Sequence, residues 1–310
     1  MRNSVGFFII GVLMYYEKPP LTFEEQAQKL IGRGLIADAD EIVKRLRVVN
    51  YYRLSAYLYP FRNPDDTYKS GTTLHLVWRH YTFDRQLRVL VMDAIERVEV
   101  AVRTQLVYHF SHRHGAFGYD NGAYFPKLDA NRFYAWLQDM DNESSRSREP
   151  FIKHFKDKYG DLHSRLPLWM IAEILSFGKM LTFFNGVDDG MRRTIAREYG
   201  IEDRILKSWL GALNVVRNIC AHHGRLWNRE LGYKILIPRK QKYPQWHTQV
   251  EIRNNRMFAI ITILHFLLNR IAPTSKWPTR LRALLQAYPD VPIRWMGFPS
   301  DWEKSPLWKM

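Results

Sequence analysis

Cysteine is almost absent: Cys220 is the single one in 310 residues. A lone thiol makes neither an intrachain disulfide nor a zinc site of cysteine ligands. That excludes a secreted disulfide scaffold and points to the reducing cytoplasm. Glycine-rich phosphate loops of the GxGxxG or Walker type are missing, as are an HExxH helix and a GxSxG elbow. No cofactor and no metal are therefore expected. No apolar run near the start reaches the ~20 residues of a membrane helix, so no stable membrane insertion is expected. The apolar stretch Val5–Tyr16 is twelve residues long and is followed by Glu17-Lys-Pro-Pro20 rather than a small-residue cleavage site. Residues 1–16 read as an apolar leader, with Met14 as the candidate true start and residues 1–13 as a translated upstream stretch.

Acidic residues are scarce where bases are dense. The whole chain holds 46 Lys and Arg against 31 Asp and Glu, a net of +15. Between Arg204 and Arg282 there are fifteen bases and two acids, Glu230 and Glu251, a net of +13. Such a stretch collects polyanions, of which nucleic acid is the commonest, or serves as a solubilising surface. The 10 Trp, 17 Tyr and 17 Phe residues supply faces for base stacking as well as for a core.

Proline and glycine are absent from His75 to His114. Leu87, Leu90, Val91, Ala94, Val98, Ala101, Val102 and Gln105 recur there at helical spacing, which predicts one helix of about 30 residues or more. Thr22-Phe-Glu-Glu25 reads as a capping box whose helix stops at Gly32-Arg-Gly34. Asp38 or Asp40 caps a second helix, through Leu46. Further helices are predicted over 129–141, 149–159, 167–176, 179–185, 189–199, 203–222 and 251–271, with a possible short strand at 234–237. The expected class is all-α, a bundle on long antiparallel helices. Four parts are expected: the leader 1–16, an N-terminal helical module 17–72, a main helical domain 73–275 and a Pro-rich C-terminal tail 276–310.

The segment Asn214-Val-Val-Arg-Asn-Ile-Cys-Ala-His-His-Gly-Arg-Leu-Trp-Asn-Arg229 concentrates Arg217, His222, His223, Arg225 and Arg229, with Asn218 and Asn228 interleaved and no acid. Five helical steps place Arg217 and His222 about 140° apart, whereas Asn218 and His222 share a face. Gly224 is placed to end the helix. Such a set can cleave a phosphodiester: His exchanges protons near neutral pH and Arg binds phosphate oxygens in pairs. One His cannot serve as both acid and base in one step, which a symmetric dimer would solve. The alternative is a capped helix end with a satisfied His. Cys220 reads as a small core residue, and His112 and His114 as a basic helix end.

Several blocks resemble the bacterial abortive-infection Abi proteins of the AbiD/AbiF type. They are Lys18–Glu25, Asn50-Tyr-Tyr-Arg-Leu-Ser-Ala-Tyr57, Phe83-Asp-Arg-Gln-Leu-Arg88, Asp93–Arg103, Arg148–His154 and Arg217–Arg229. The resemblance implies a HEPN-type helical domain, whose signature of Arg, four to six residues and His falls on Arg217 and His222, with Asn218 after the Arg. It implies a homodimeric, metal-independent endoribonuclease acting in phage defence, with RNA as substrate and a small noncoding RNA as a further bound partner. A non-catalytic RNA-binding regulator or phage sensor with a degenerate site is the alternative. Secondary site candidates are His223, Glu96, Glu99 and Arg103; the two acids either orient the motif or form ordinary ion pairs on the helix surface. The expected RNA contacts are Arg225, Asn228, Arg229, Lys234, Arg239, Lys240 and Lys242. Tyr51, Tyr52 and Arg53 either join them or pack in the core.

Overall fold

The computed structural model describes residues 18–309. The leader and the start-site reading of Met14 lie outside the described residues. Among the described residues there are twelve α-helices, short 3₁₀ turns, three isolated bridges and no strand, so the class is all-α as expected. No helix among them is long and apolar enough to cross a membrane. The chain divides into two compact units, one ending at Trp78 and one beginning at Arg79.

The first unit carries helices α1 (Phe23–Gly32), α2 (Ala39–Val49) and α3 (Tyr51–Leu58). Thr22 and Glu25 close the capping box from both sides, and Gly34, at φ +95°, turns the chain out of α1. Asp38 caps α2 by accepting from the amides of Asp40 and Glu41. Asn50 ends α2 and caps α3 in one step, with φ +50° and a side chain that accepts from the Arg53 amide. Leu30, Ile42, Leu46, Leu54, Tyr57 and Leu58 are buried together as this unit's core.

The second unit takes in α4 (Leu74–His114) from Arg79 on, and the 41 residues of this helix match the long uninterrupted helix read from the sequence. After it come α5 (Ala130–Arg146), α6 (Pro150–Tyr159), α7 (Leu168–Ile171), α8 (Phe177–Gly186), α9 (Asp189–Glu198), α10 (Asp203–Ala221), α11 (Met257–Ile271) and α12 (Trp277–Ala287). From Met257 to Leu268 every residue of α11 is buried, so this helix is the centre of the unit rather than a face of it. α10 packs on α8, α9 and α11 through Leu206, Trp209, Leu213 and Val216.

Two expectations change. The candidate strand at 234–237 is not formed: the Leu236 amide donates to Ser208 Oγ at 3.0 Å, and its carbonyl accepts from Trp209 Nε1 at 2.9 Å. α11 starts six residues later than expected, because the carbonyls of Asn254 and Asn255 accept from Ile235 and Leu231, and Arg256 is extended. The Pro-rich segment from residue 276 contains α12, opened by Pro278 in its first turn, a position that needs no amide donor. Trp277 donates to the Leu90 carbonyl of α4 at 2.8 Å, and Met296, Phe298 and Trp308 are buried.

Trp308 stacks on His265 of α11 with centroids 4.3 Å apart and donates to Thr262 Oγ1. Burial, reinforced by the nearby Arg282 charge, pulls the His265 imidazole down to about 4. Its ordinary value lies near 6.5, so between pH 6.5 and 4 the unfolded chain takes up a proton that the folded chain refuses, and stability falls as pH falls. Urea denaturation is expected to show a loss on the order of 2 kcal/mol between pH 7 and pH 5 from this group. His265→Phe, which keeps the ring stack, is expected to remove that part of the slope. An unchanged slope in the variant would assign the acid loss elsewhere.

Candidate functional site

The motif sits where α10 ends. Ala221 is its last helical residue, His222 is the C-cap, and His223 follows in the left-handed region at φ +56°. The Gly224 amide donates to the Ile219 carbonyl at 2.7 Å and the His223 amide to the Cys220 carbonyl at 2.9 Å. These two bonds make a Schellman motif, with the left-handed position one residue earlier than Gly224. Gly224 instead allows a close approach. A Cβ there would stand 3.2 Å from the Ile219 carbonyl oxygen and 3.0 Å from its Cγ2.

Helical register holds to Ala221, so Arg217 and His222 remain about 140° apart around α10. Arg217 is half-buried, while Asn218, His222 and His223 are exposed. On α4, Arg103 donates to Glu99 Oε1 at 2.8 Å and to the Leu175 carbonyl at 3.1 Å. Glu99 lies close to Arg217. Burial raises its carboxyl above the ordinary range, and the charges of Arg103 and then Arg217 oppose that rise. Glu96 is exposed, so of the two acids Glu99 is the one beside Arg217. Arg97, six residues before Arg103, pairs instead with Asp93 at 3.0 Å. Among the described residues neither the Arg217 guanidinium nor the His222 ring has a hydrogen-bond partner, although Arg217 feels the Glu99 charge.

The turn after the motif is held by two residues that drew no role from the sequence. Asp84 is fully buried on α4 and accepts from the amides of Leu226 at 3.0 Å and Trp227 at 2.6 Å. Its other oxygen pairs with Arg88, which reaches on to the Gly224 carbonyl. Trp227 is buried between His80, at 4.5 Å, and Trp295, at 5.3 Å. Leu226 and Trp227 are thus the anchors, and the polar residues around them are what the anchor presents. Arg225 and Arg229 are half-buried, closed by a bond from Arg229 Nε to the Arg225 carbonyl at 2.7 Å, and Asn228 takes φ +53°. The available signal was an acid and an arginine four residues apart on the apolar stripe of Phe83, Leu87 and Val91. Cys220 is buried, and desolvation beside Asp84 pushes its thiol up to about 12, which leaves it a core residue with no thiolate at neutral pH.

The remaining expected RNA contacts are scattered. Lys234, Arg239 and Lys240 are exposed in the loop between α10 and α11. Lys242 is exposed but paired with Glu202 at 3.2 Å. Acids from outside the basic stretch also reach Arg204, Arg280 and Arg282, through Glu202, Asp93 and Glu303. The local excess is therefore smaller than the window sum of +13 implies. Tyr51, Tyr52 and Arg53 belong to the first unit, where Tyr51 accepts from Arg33 at 3.3 Å and Tyr52 is exposed. Among the described residues no group of three or more His, Cys, Asp or Glu side chains is placed to hold a metal ion.

Asp84 satisfies two buried amides and pairs with a buried guanidinium, so its removal strands the two amides and takes the countercharge from Arg88. Asp84→Ala is expected to cost about 3 kcal/mol or more in denaturant unfolding. Arg88→Met, which leaves the two amide bonds in place, is expected to cost less. Hydrogen exchange at the Leu226 and Trp227 amides is expected to accelerate in Asp84→Ala well before global unfolding.

No curated protein and no solved structure matches the chain. The model of one protein family, described as Abi-like protein, does match, over residues 44–228. That range takes in α4 whole, from Asp84 and Arg88 to Glu99 and Arg103, and runs through α10 to the turn they support. It ends at Asn228, one residue past the Trp227 anchor. More than half of the chain lies inside the match, with Asp84, Arg88, Glu99, Arg103, Arg217, His222 and the Leu226–Trp227 anchor, and the chain belongs to the Abi-like protein family, with its role in abortive-infection defence against phage.

Proposed function

We propose that this Abi-like protein defends by cutting RNA, as a homodimeric, metal-independent endoribonuclease of HEPN type whose acid and base are the two copies of His222. The observation that carries the reading is the end of α10. A half-buried Arg217 stands beside the Glu99–Arg103 pair, and an exposed His222 follows at the cap, neither hydrogen-bonded to another side chain among the described residues.

In the proposed reaction a ribose 2′-hydroxyl attacks the adjacent phosphorus. One His222 accepts the 2′-hydroxyl proton as the new P–O bond forms. The bond to the 5′ oxygen breaks, and the partner copy's imidazolium gives that oxygen a proton. The products are a 2′,3′-cyclic phosphate and a 5′-hydroxyl. Arg217 binds the nonbridging oxygens, where charge accumulates in the transition state, and a bidentate guanidinium suits that task. Glu99 fixes the direction of Arg217 without neutralising it, because Arg103 shares its charge. The 140° between Arg217 and His222 on one helix favours a shared groove, in which each phosphate meets groups from two chains. A small noncoding RNA bound on the exposed bases of the α10–α11 loop is the proposed regulator.

His222→Ala is expected to lower cleavage of single-stranded RNA by about a hundredfold or more while leaving folding and RNA binding intact. Cleavage by the wild type is expected to persist in excess EDTA and to leave cyclic phosphate ends. His223→Ala is expected to matter less; if it alone abolishes cleavage, the two histidines exchange roles. Mixing wild-type with His222→Ala protomers is expected to depress activity beyond dilution. Binding without any cleavage would leave a non-catalytic RNA-binding regulator.

A further inference from the structure

Two clefts flank α4 beyond Arg103, in a part of the chain outside the basic C-terminal third. The first, about 590 Å³, is lined by Arg103, Tyr108, Ser111, His112 and Trp169 among others. The second, about 580 Å³, is lined by His109, His112, Arg113, Arg193 and Arg197. His112 lines both, so the clefts adjoin. From Arg103 to Arg113 they follow about 15 Å of α4. Each alone has the size of a small-molecule site, and together they make an elongated one.

The linings differ in a way that sorts the parts of a nucleotide. Trp169 is 50% exposed at the cleft, and Tyr108 is 55% exposed with one side against the His112 ring, centroids 4.1 Å apart, and the rest of its ring open. Arg193 and Arg197 lie one turn apart on α9, both exposed and without an ion pair among the described residues. The acids nearby are few: Asp188 is occupied by Arg113 at 2.8 Å, and Glu173 is the one carboxylate among the lining residues. Ser111 Oγ is buried with no hydrogen-bond partner among the described residues, a donor waiting for an acceptor. His112 Nδ1 lies 2.8 Å from the Tyr108 carbonyl, which can only accept, so Nδ1 carries the hydrogen and Nε2 is left for a ligand.

We propose that this double cleft binds single-stranded RNA, with bases stacked on Trp169 and Tyr108 and phosphates on Arg193 and Arg197. Exposed rings recruit unpaired bases, and free arginines recruit the backbone between them. A duplex offers the rings no free face, since its bases are stacked on one another. An acidic peptide would meet the arginines and leave the rings uncovered. The proposal rests on the reading of the protein as one that acts on RNA, and adds the course of the strand. Arg103 lines the first cleft and holds Glu99, which neighbours Arg217. A strand in the cleft therefore leads from the motif along α4 to α9.

The test is fluorescence anisotropy with a fluorescein-labelled oligouridylate of about ten nucleotides, within the usual site size for single strands. It is run on the full chain carrying His222→Ala, so that binding is read without cleavage. Arg193→Gln with Arg197→Gln is expected to weaken binding at least tenfold and to reduce the slope of log affinity against log salt by about 1.4, two phosphates' worth for a single strand. Trp169→Ala is expected to lose roughly tenfold, and Trp169→Phe to keep most of the affinity. Circular dichroism checks that each variant is folded. The proposal is overturned if the arginine pair and Trp169→Ala bind as tightly as their parent, if a matched duplex competes as well as the single strand, or if the parent does not bind the probe. Absence of cleavage in the unmutated chain, with the variants still weakened, would sink the nuclease reading and leave the cleft standing.

Discussion

The Asp84 carboxylate is the group on which the motif's placement rests. It sits on the long helix with no access to solvent, and a buried carboxylate is tolerated only when its lone pairs are taken. Arg88 takes one side; the amides of Leu226 and Trp227 take the other. The pair on α4 thereby holds a turn more than a hundred residues away in sequence. A backbone that has left a helix has amides to satisfy, and a buried turn cannot satisfy them with water. Here one side chain does so for two consecutive residues, and the two side chains that follow those amides, Leu226 and Trp227, are buried as well. The basic residues on either side face outward because the residues between them are anchored.

A second arrangement on the same helix acts on the motif from its other side. Glu99 and Arg103 are one turn apart, both largely shielded, and Arg103 also binds the carbonyl that precedes α8. The pair is more than the ordinary exposed ion pair on a helix surface, which contributes little. It ties α4 to the start of α8 and leaves Glu99 within reach of the Arg217 charge. Arg217 thus stands near a carboxylate already shared with Arg103, which leaves its guanidinium less neutralised than a saturated salt bridge would.

Much of this was legible from the residues alone, for physical reasons that differ from element to element. The capping box at Thr22, the cap at Asp38 and the long helix without proline or glycine are local features, and they formed as read. The basic cluster around Arg217 and His222 was visible as composition. What was not legible depends on partners distant in sequence. Glycine is the usual left-handed residue, so Gly224 was expected to end α10, yet the left-handed position is His223. Gly224 serves the close approach to Ile219, which spacing does not reveal. The polar start of the α11 segment read as helix, but its carbonyls are committed to the loop before it. A window sum of charge counts only the acids inside the window. It missed Glu202, Asp93 and Glu303, and it missed the arginines of α9, which fall outside the window.

Basic residues contribute to binding a polyanion according to whether they are already neutralised, so the map of free cations differs from the map of all cations. Among the described residues, Arg239 and Lys240 on the α10–α11 loop, and Arg193 and Arg197 on α9, are exposed without ion pairs. α10 lies between α9 and that loop in the chain and ends in the motif. Free charge thus stands on both flanks, in chain order, of the helix that carries Arg217, and further exposed cations, Lys207 and Lys234 among them, add to it. A polyanion held at both would be drawn along the surface on which that helix ends, and screening by salt would weaken both holds together. The half-buried Arg217 differs from these four. Its charge lies beside the Glu99–Arg103 pair rather than out in solvent, so under the proposed function it would place one phosphate while the exposed arginines and lysine would hold the strand.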